Sequence, residues 1–422
     1  MGILQELLKN IPVPKMVKVK QHFDDAKIEN LEAVLQEKLQ RESIKQTIKP
    51  GMEIAIAVGS RGLDQLVTLT KVTVQYLQDL GAKPFIVPSM GSHGGATAEG
   101  QQEVLAHLGV TEETVGCEIR SSMEVVKLGE LPNGLPVYID KYASKADGIV
   151  VLNRVKPHTA FRGPVESGIQ KMISIGLGKQ KGAEACHQLG FKYMAENVPA
   201  MAKMIMEKTP ILFGVATVEN AFDKVARVEV LLQNEILEKE AELQAQAKQL
   251  LPKLFFEQID VLVIDEIGKN ISGDGMDPNI TGRYPTPYAH GGPDVNKMVV
   301  LDLTRETEGN ANGVGTADFT TQRLVDKMDL EFTYANGLTS TVVAPTKIAT
   351  TLPNDKQAIQ AAIKTCNILD FTQVKMVRIK NTLHISEIEV SEALLEYINN
   401  HPQMEQASEL YEIPFDENGN LR

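Results

Sequence analysis

Apolar positions along the first half of the chain switch repeatedly between an unbroken run and a helical spacing. EIAIAVGS (Glu53 to Ser60) is a β-branched and apolar run ending in Gly-Ser, which predicts a buried strand. LDQLVTLTKVTVQYLQDLG follows with apolar residues at Leu63, Leu66, Leu69, Val72, Tyr76, Leu77 and Leu80 and stops at Gly81, which predicts a helix with a glycine cap. A second pair repeats the pattern, with a strand over Lys83 to Met90, a glycine-rich turn and a helix closing at Gly109. Two strand–helix units in succession predict a parallel sheet with helices packed on it. Further strands are predicted at Leu135 to Ile139, Gly148 to Val155 and Ile211 to Glu219. Over Val230 to Leu254 the residues Leu232, Ile236, Leu243, Ala247 and Leu250 stand among Glu, Gln and Lys, a long amphipathic helix closed by Pro252. It reads as the connector between an N-terminal domain, 1–255, and a C-terminal domain, 256–422.

IDVLVIDEIG opens the second domain, and KMVVLDL, STVVAP and KMVRIK predict more strands, with helices at Asp355 to Cys366 and near Ser391 to Asn400. The acidic tail after Pro402 is expected to be loosely held. The expected class is α/β: two domains, each with a mainly parallel sheet flanked by helices, and an active site in the cleft between them.

Composition narrows the partners. The chain has 422 residues, 43 Lys plus Arg against 55 Asp plus Glu and a net charge of −12, with no basic run interleaved with aromatics, so nucleic acid is not expected. Cys117, Cys186 and Cys366 are scattered and form no CxxC pair, which fits a reducing cytoplasm. The N-terminus lacks the pattern of a signal peptide, and apolar stretches of about six residues are far short of the roughly 20 that cross a bilayer.

Chemistry concentrates in loops at or beside strand ends, where open α/β sheets bind ligands. GSRG (59–62), MGSHGGATAEG (90–100), the segment 153–172 and IGLGKQKGAEACH (175–187) hold three of the eight histidines, His93, His158 and His187. Each could be a hydrogen-bonded structural imidazole, as expected for His22, His107, His384 and His401, while His290 is left open. Three in such loops favour a shared site working as acid, base or metal ligand. No HExxH accompanies them, although a metal-dependent hydrolase or lyase using them directly is an alternative. Gly94 and Gly95 would let a backbone approach a ligand, and Lys179 and Lys181 are either solvated or available to a phosphate. Lys171 lies between Ile169 and Met172, where partial burial would favour a nucleophilic amine. Arg61 could hold a carboxylate. The polar loop from Gly268 to Arg283 offers Lys269, Asn279, Thr281 and Arg283 as substrate contacts, or is simply a surface loop rich in turn residues.

In order and spacing these residues resemble the nickel-pincer-nucleotide lactate racemase family, the nickel-dependent α-hydroxy acid racemases and epimerases. An Arg after the first predicted strand is followed 32 residues later by a glycine-flanked His (61 to 93), then by Pro157-His158, then by a Lys and a His 16 apart (171 to 187). The resemblance implies that His187 is the protein ligand to nickel and that Lys171 tethers the cofactor, a Ni(II) pyridinium-3,5-bisthiocarboxylic acid mononucleotide. It implies that His93 and His158 are paired acid and base, and that Arg61 orients the substrate. Hydride would leave Cα of a 2-hydroxy acid and return to either face. Implied partners are that small molecule and, transiently, cofactor-synthesis proteins; a non-catalytic cofactor carrier is a third reading. No acidic residue stands at Ala57 to Gly59, and Gly94 rather than a basic residue follows His93, which marks a divergent member.

Overall fold

The computed structural model describes residues 2–60 and 62–422. Contacts divide the chain into two compact units: Asp24–Leu251, and the N-terminal residues through Phe23 joined to Pro252–Arg422. The expected first domain, 1–255, thus differs from the first unit mainly in its N-terminal 23 residues.

In the Asp24–Leu251 unit the sheet runs Lys83–Pro88, Glu53–Val58, Gly148–Arg154, Ile211–Glu219, Val225–Leu232. The first four strands are parallel and the last is antiparallel. Ile54 through Val58 are all fully buried, as expected of a central strand covered by helices on both faces. The helix Leu66–Asp79 buries Leu66, Leu69, Val72 and Leu77 against this sheet. Because the central strands are parallel, the chain emerges from Val58, Pro88 and Arg154 at one end of the sheet. The loops that carry His93 and His158 start there.

Three expectations change here. Pro136–Asp140 pairs with Val125–Glu130 in a separate two-stranded ribbon rather than the main sheet. Val230 to Leu232 complete the edge strand, because buried Val225, Val228 and Val230 favour an extended chain beside Ile211–Glu219. The helix therefore begins at Gln233 and, ending at Leu250, packs within this unit instead of forming a connector.

The other unit holds an eight-stranded sheet in the order Thr350–Leu352, Phe319–Thr321, Asp294–Leu303, Gln258–Ile267, Met376–Ile379, Glu387–Ser391, Met16–Gln21, Met404–Gln406. The first five strands are parallel and the remaining pairings antiparallel. The tail expected to be loose supplies the edge strand Met404–Gln406, and Tyr411 pairs with Met16. STVVAP is no strand: it ends the helix Leu330–Ser340 and enters a 3₁₀ turn, Ala344–Thr346, set by Pro345. No helix among the described residues is long and apolar enough to cross a membrane.

Candidate active site

Beyond Arg154 the backbone of Lys156 pairs with Ser167, pinching off the loop that carries His158. At its base lies Glu166, whose side chain is wholly buried. Its carboxylate accepts the backbone N–H of His158 at 2.8 Å and of Gly163 at 3.2 Å, an Arg162 guanidinium N–H at 3.2 Å, and the Lys248 ammonium at 2.6 Å. A buried carboxylate is retained only with such a set of donors. The His158 Nδ1 accepts the N–H of Ala160 at 3.0 Å, so in the neutral ring the proton sits on Nε2. Phe161 stacks obliquely on that ring, centroids 4.5 Å apart.

The chain then turns through Ile169–Lys171 into a π-helical stretch, Met172–Gly176, and continues as the helix Lys179–His187. Such widened turns are common at functional sites. His187, at the end of that helix, donates from Nδ1 to the Ala183 carbonyl at 2.6 Å, which leaves the Nε2 lone pair available. Phe191 lies 5.4 Å from the His187 ring and 6.0 Å from that of His158. Burial pushes both imidazoles below their ordinary range, His158 well below, and the Lys171 ammonium lowers both further. His158 and His187 thus flank Phe191, with the Lys171 ammonium near enough to act on both imidazoles.

His93 stands on the loop after Lys83–Pro88 and hydrogen-bonds through Nδ1 to the Ser60 hydroxyl beyond Glu53–Val58. Gln101 holds that loop from below, its amide N–H₂ donating to the carbonyls of Gly91 at 2.9 Å and His93 at 3.2 Å. Gly91 in turn donates to the Gly176 carbonyl at 3.4 Å, so the loop lies on the segment between Lys171 and His187. Gly94 has a φ of +66°, and a Cβ there would come 2.5 Å from the backbone of Gly100; Gly95 faces open space.

Lys179, expected to be solvated or to meet a phosphate, is wholly buried. Its ammonium donates to the Pro88 carbonyl and to Gln101 Oε1 at 3.0 Å, and pairs with buried Asp140 at 3.4 Å. It is committed to the fold, and Lys181 alone of the two is exposed. Arg61 lies outside the described residues. In the other unit, Arg283 is engaged by the carbonyls of Val295, Asn296 and Thr316 and by Asp318, and Thr281 is fully buried. Asn279 is buried beside Asp277, and Lys269 donates to the Gly273 carbonyl and Asn336. Arg283 thus ties the loop to the strand Asp294–Leu303, and Lys269 ties it to the helix Leu330–Ser340.

Sequence reasoning passed over Ser60, Phe161, Glu166, Phe191 and Glu240. A charged residue inside an apolar stripe was the available signal for Glu240; nothing local distinguished the others.

Residues 6–198 match the family model described as the lactate racemase N-terminal domain. No protein of curated function matches the sequence. In fold the chain is similar to the lactate racemase apoprotein from Thermoanaerobacterium thermosaccharolyticum: 14% identity, a TM-score of 0.52, 88% of this chain and 99% of that one.

The residues present fit a nickel-pincer nucleotide. A metal ligand must be a neutral imidazole with a free lone pair and a second nitrogen held by a carbonyl, and His187 is all three. Lys171, whose charge acts on His187, supplies an amine nearby. Among the described residues no group of three or more His, Cys, Asp or Glu could hold a metal by itself.

Proposed function

We propose that this protein is a racemase or epimerase of a small α-hydroxy acid that works with a nickel-pincer nucleotide. The family match supports the class of reaction. The observation that carries the finer reading is the convergence of His158, Lys171 and His187, with His187 turned to offer Nε2 to a metal. The cofactor, when bound, supplies a hydride acceptor and donor, which no side chain can. Lys171 would tether it and His187 would ligate its nickel, while exposed Lys181 is at hand for its phosphate.

The chain's own part is proton transfer and orientation. His158, kept neutral by burial and by the cations around it, would accept the substrate hydroxyl proton on Nε2 once its own proton has moved to Nδ1 and the Ala160 N–H is released. His93, held by Ser60, serves the substrate of opposite hand. Two bases are needed because the hydroxyl of each enantiomer points a different way from a common Cα. Arg61 would meet the carboxylate. The cytoplasm, with its reduced thiols, is the proposed compartment, and Cys117, Cys186 and Cys366 are free.

Racemisation of 2-hydroxy acids deuterated at Cα, followed by chiral separation and mass spectrometry, tests the reading. Hydride transfer predicts inversion with the deuterium retained. Inversion with the deuterium washed out to solvent would contradict it and indicate proton abstraction from Cα.

A further inference from the structure

The helix Gln233–Leu250 buries Glu240 and Gln244 on one face, and Lys248, four residues further along the same row, lies at the surface. Glu240 and Gln244 are each 1% exposed. Glu240 accepts the backbone N–H of Gln170, next to Lys171, at 3.0 and 3.4 Å. A Cβ on Gly168 would collide with its carboxylate, so glycine is what lets the two approach. Gln244 accepts the backbone N–H of Glu166 at 3.3 Å, and Lys248 pairs with one Glu166 oxygen while the other holds the His158 N–H. None of the three enters the chemistry above, yet each bonds to the segment 158–171.

We propose that Glu240, Gln244 and Lys248 are positioning residues: one helix face caps the turn presenting Lys171 and clamps the loop presenting His158, fixing the two in register. This rests on the reading that Lys171 and His158 share an active site. The row bonds directly at Glu166 and at Gln170, and through Glu166 it reaches the backbone of His158. Without it the loop and the turn would open independently.

The test uses the folded chain without cofactor. Competitive acetylation with acetic anhydride, read by peptide mass spectrometry, compares Lys171 with exposed Lys181 and Lys192. Hydrogen–deuterium exchange at imidazole C2 compares His158 with His93. Glu240→Gln, which keeps an acceptor but loses its charge, is expected to raise Lys171 reactivity about fivefold, the size of about 1 kcal/mol of hydrogen bonding, with Lys181 and Lys192 unchanged. Lys248→Met is expected to raise exchange at His158 about fivefold with His93 unchanged, and Lys248→Arg to restore the wild-type rate. No change at either position, or an equal rise at the control residues that marks general loosening, would overturn the proposal. The labelling is independent of cofactor loading, so a wild-type chain that never acquires an adduct would count against the proposed function and leave this result standing.

Discussion

The two histidine loops of the Asp24–Leu251 unit are held in contrasting ways. The loop of His158 is fixed by charge: buried Glu166 binds two backbone N–H groups and Arg162, and surface Lys248 reaches in to it. The loop of His93 is fixed by backbone shape and a neutral amide, with Gly94 fitted against Gly100 and Gln101 beneath the carbonyls. The first device is deep and sensitive to ionisation; the second is shallow, and His93 is exposed. One histidine is therefore half-buried and kept neutral among cations, and the other stays open to solvent. Removing a partner should hurt most where charges are buried.

Replacing Glu166 with Ala is the severest break expected, since it takes the counter-charge from largely buried Arg162 and frees two N–H groups. A loss of about 3–5 kcal/mol in urea unfolding is expected. A loss below about 1 kcal/mol would show that the loop is held by something else.

Glu240 gives the charged side a pH signature. Burial raises its carboxyl to about 7, against an ordinary value near 4.5. Its folded-state value is thus above its unfolded one, so its contribution to stability is complete below about pH 4.5 and is lost as pH rises through 7. Wild type should lose up to about 3 kcal/mol relative to Glu240→Gln between pH 4.5 and 7.5. Parallel stability curves for the two chains would contradict the assignment.

On the glycine side, Gly94→Ala adds a Cβ against Gly100 in a left-handed residue. It should cost about 1–3 kcal/mol and shift the His93 ring signals, with those of His158 unmoved. Movement of both sets would mean that the loops are coupled more tightly than their separate anchors suggest.

Much of this architecture was legible because parallel strands announce themselves as unbroken apolar runs. Glu53–Val58, Lys83–Pro88, Gly148–Arg154 and Ile211–Glu219 lie where the runs stand, and so do the loops after them. The anchors were not legible, because burial of a charge is decided by distant partners. Lys179 looks like a solvated lysine until Asp140, Gln101 and Pro88 close on it, residues 39 to 91 positions away. Glu240 sits between Ile236 and Leu243 on the helix stripe, where polar residues are out of place, and that conflict was the one local hint of its role. Val225–Leu232 was hidden because its apolar residues run on into the helix that follows.

The most direct measurement is intact-protein mass spectrometry with nickel analysis on chain co-expressed with a cofactor-synthesis pathway. The account predicts an added nucleotide mapping to Lys171 and about one nickel per chain, with nickel but not fold lost in His187→Ala. An unmodified Lys171 and no nickel, in a host that loads a control enzyme, would contradict it.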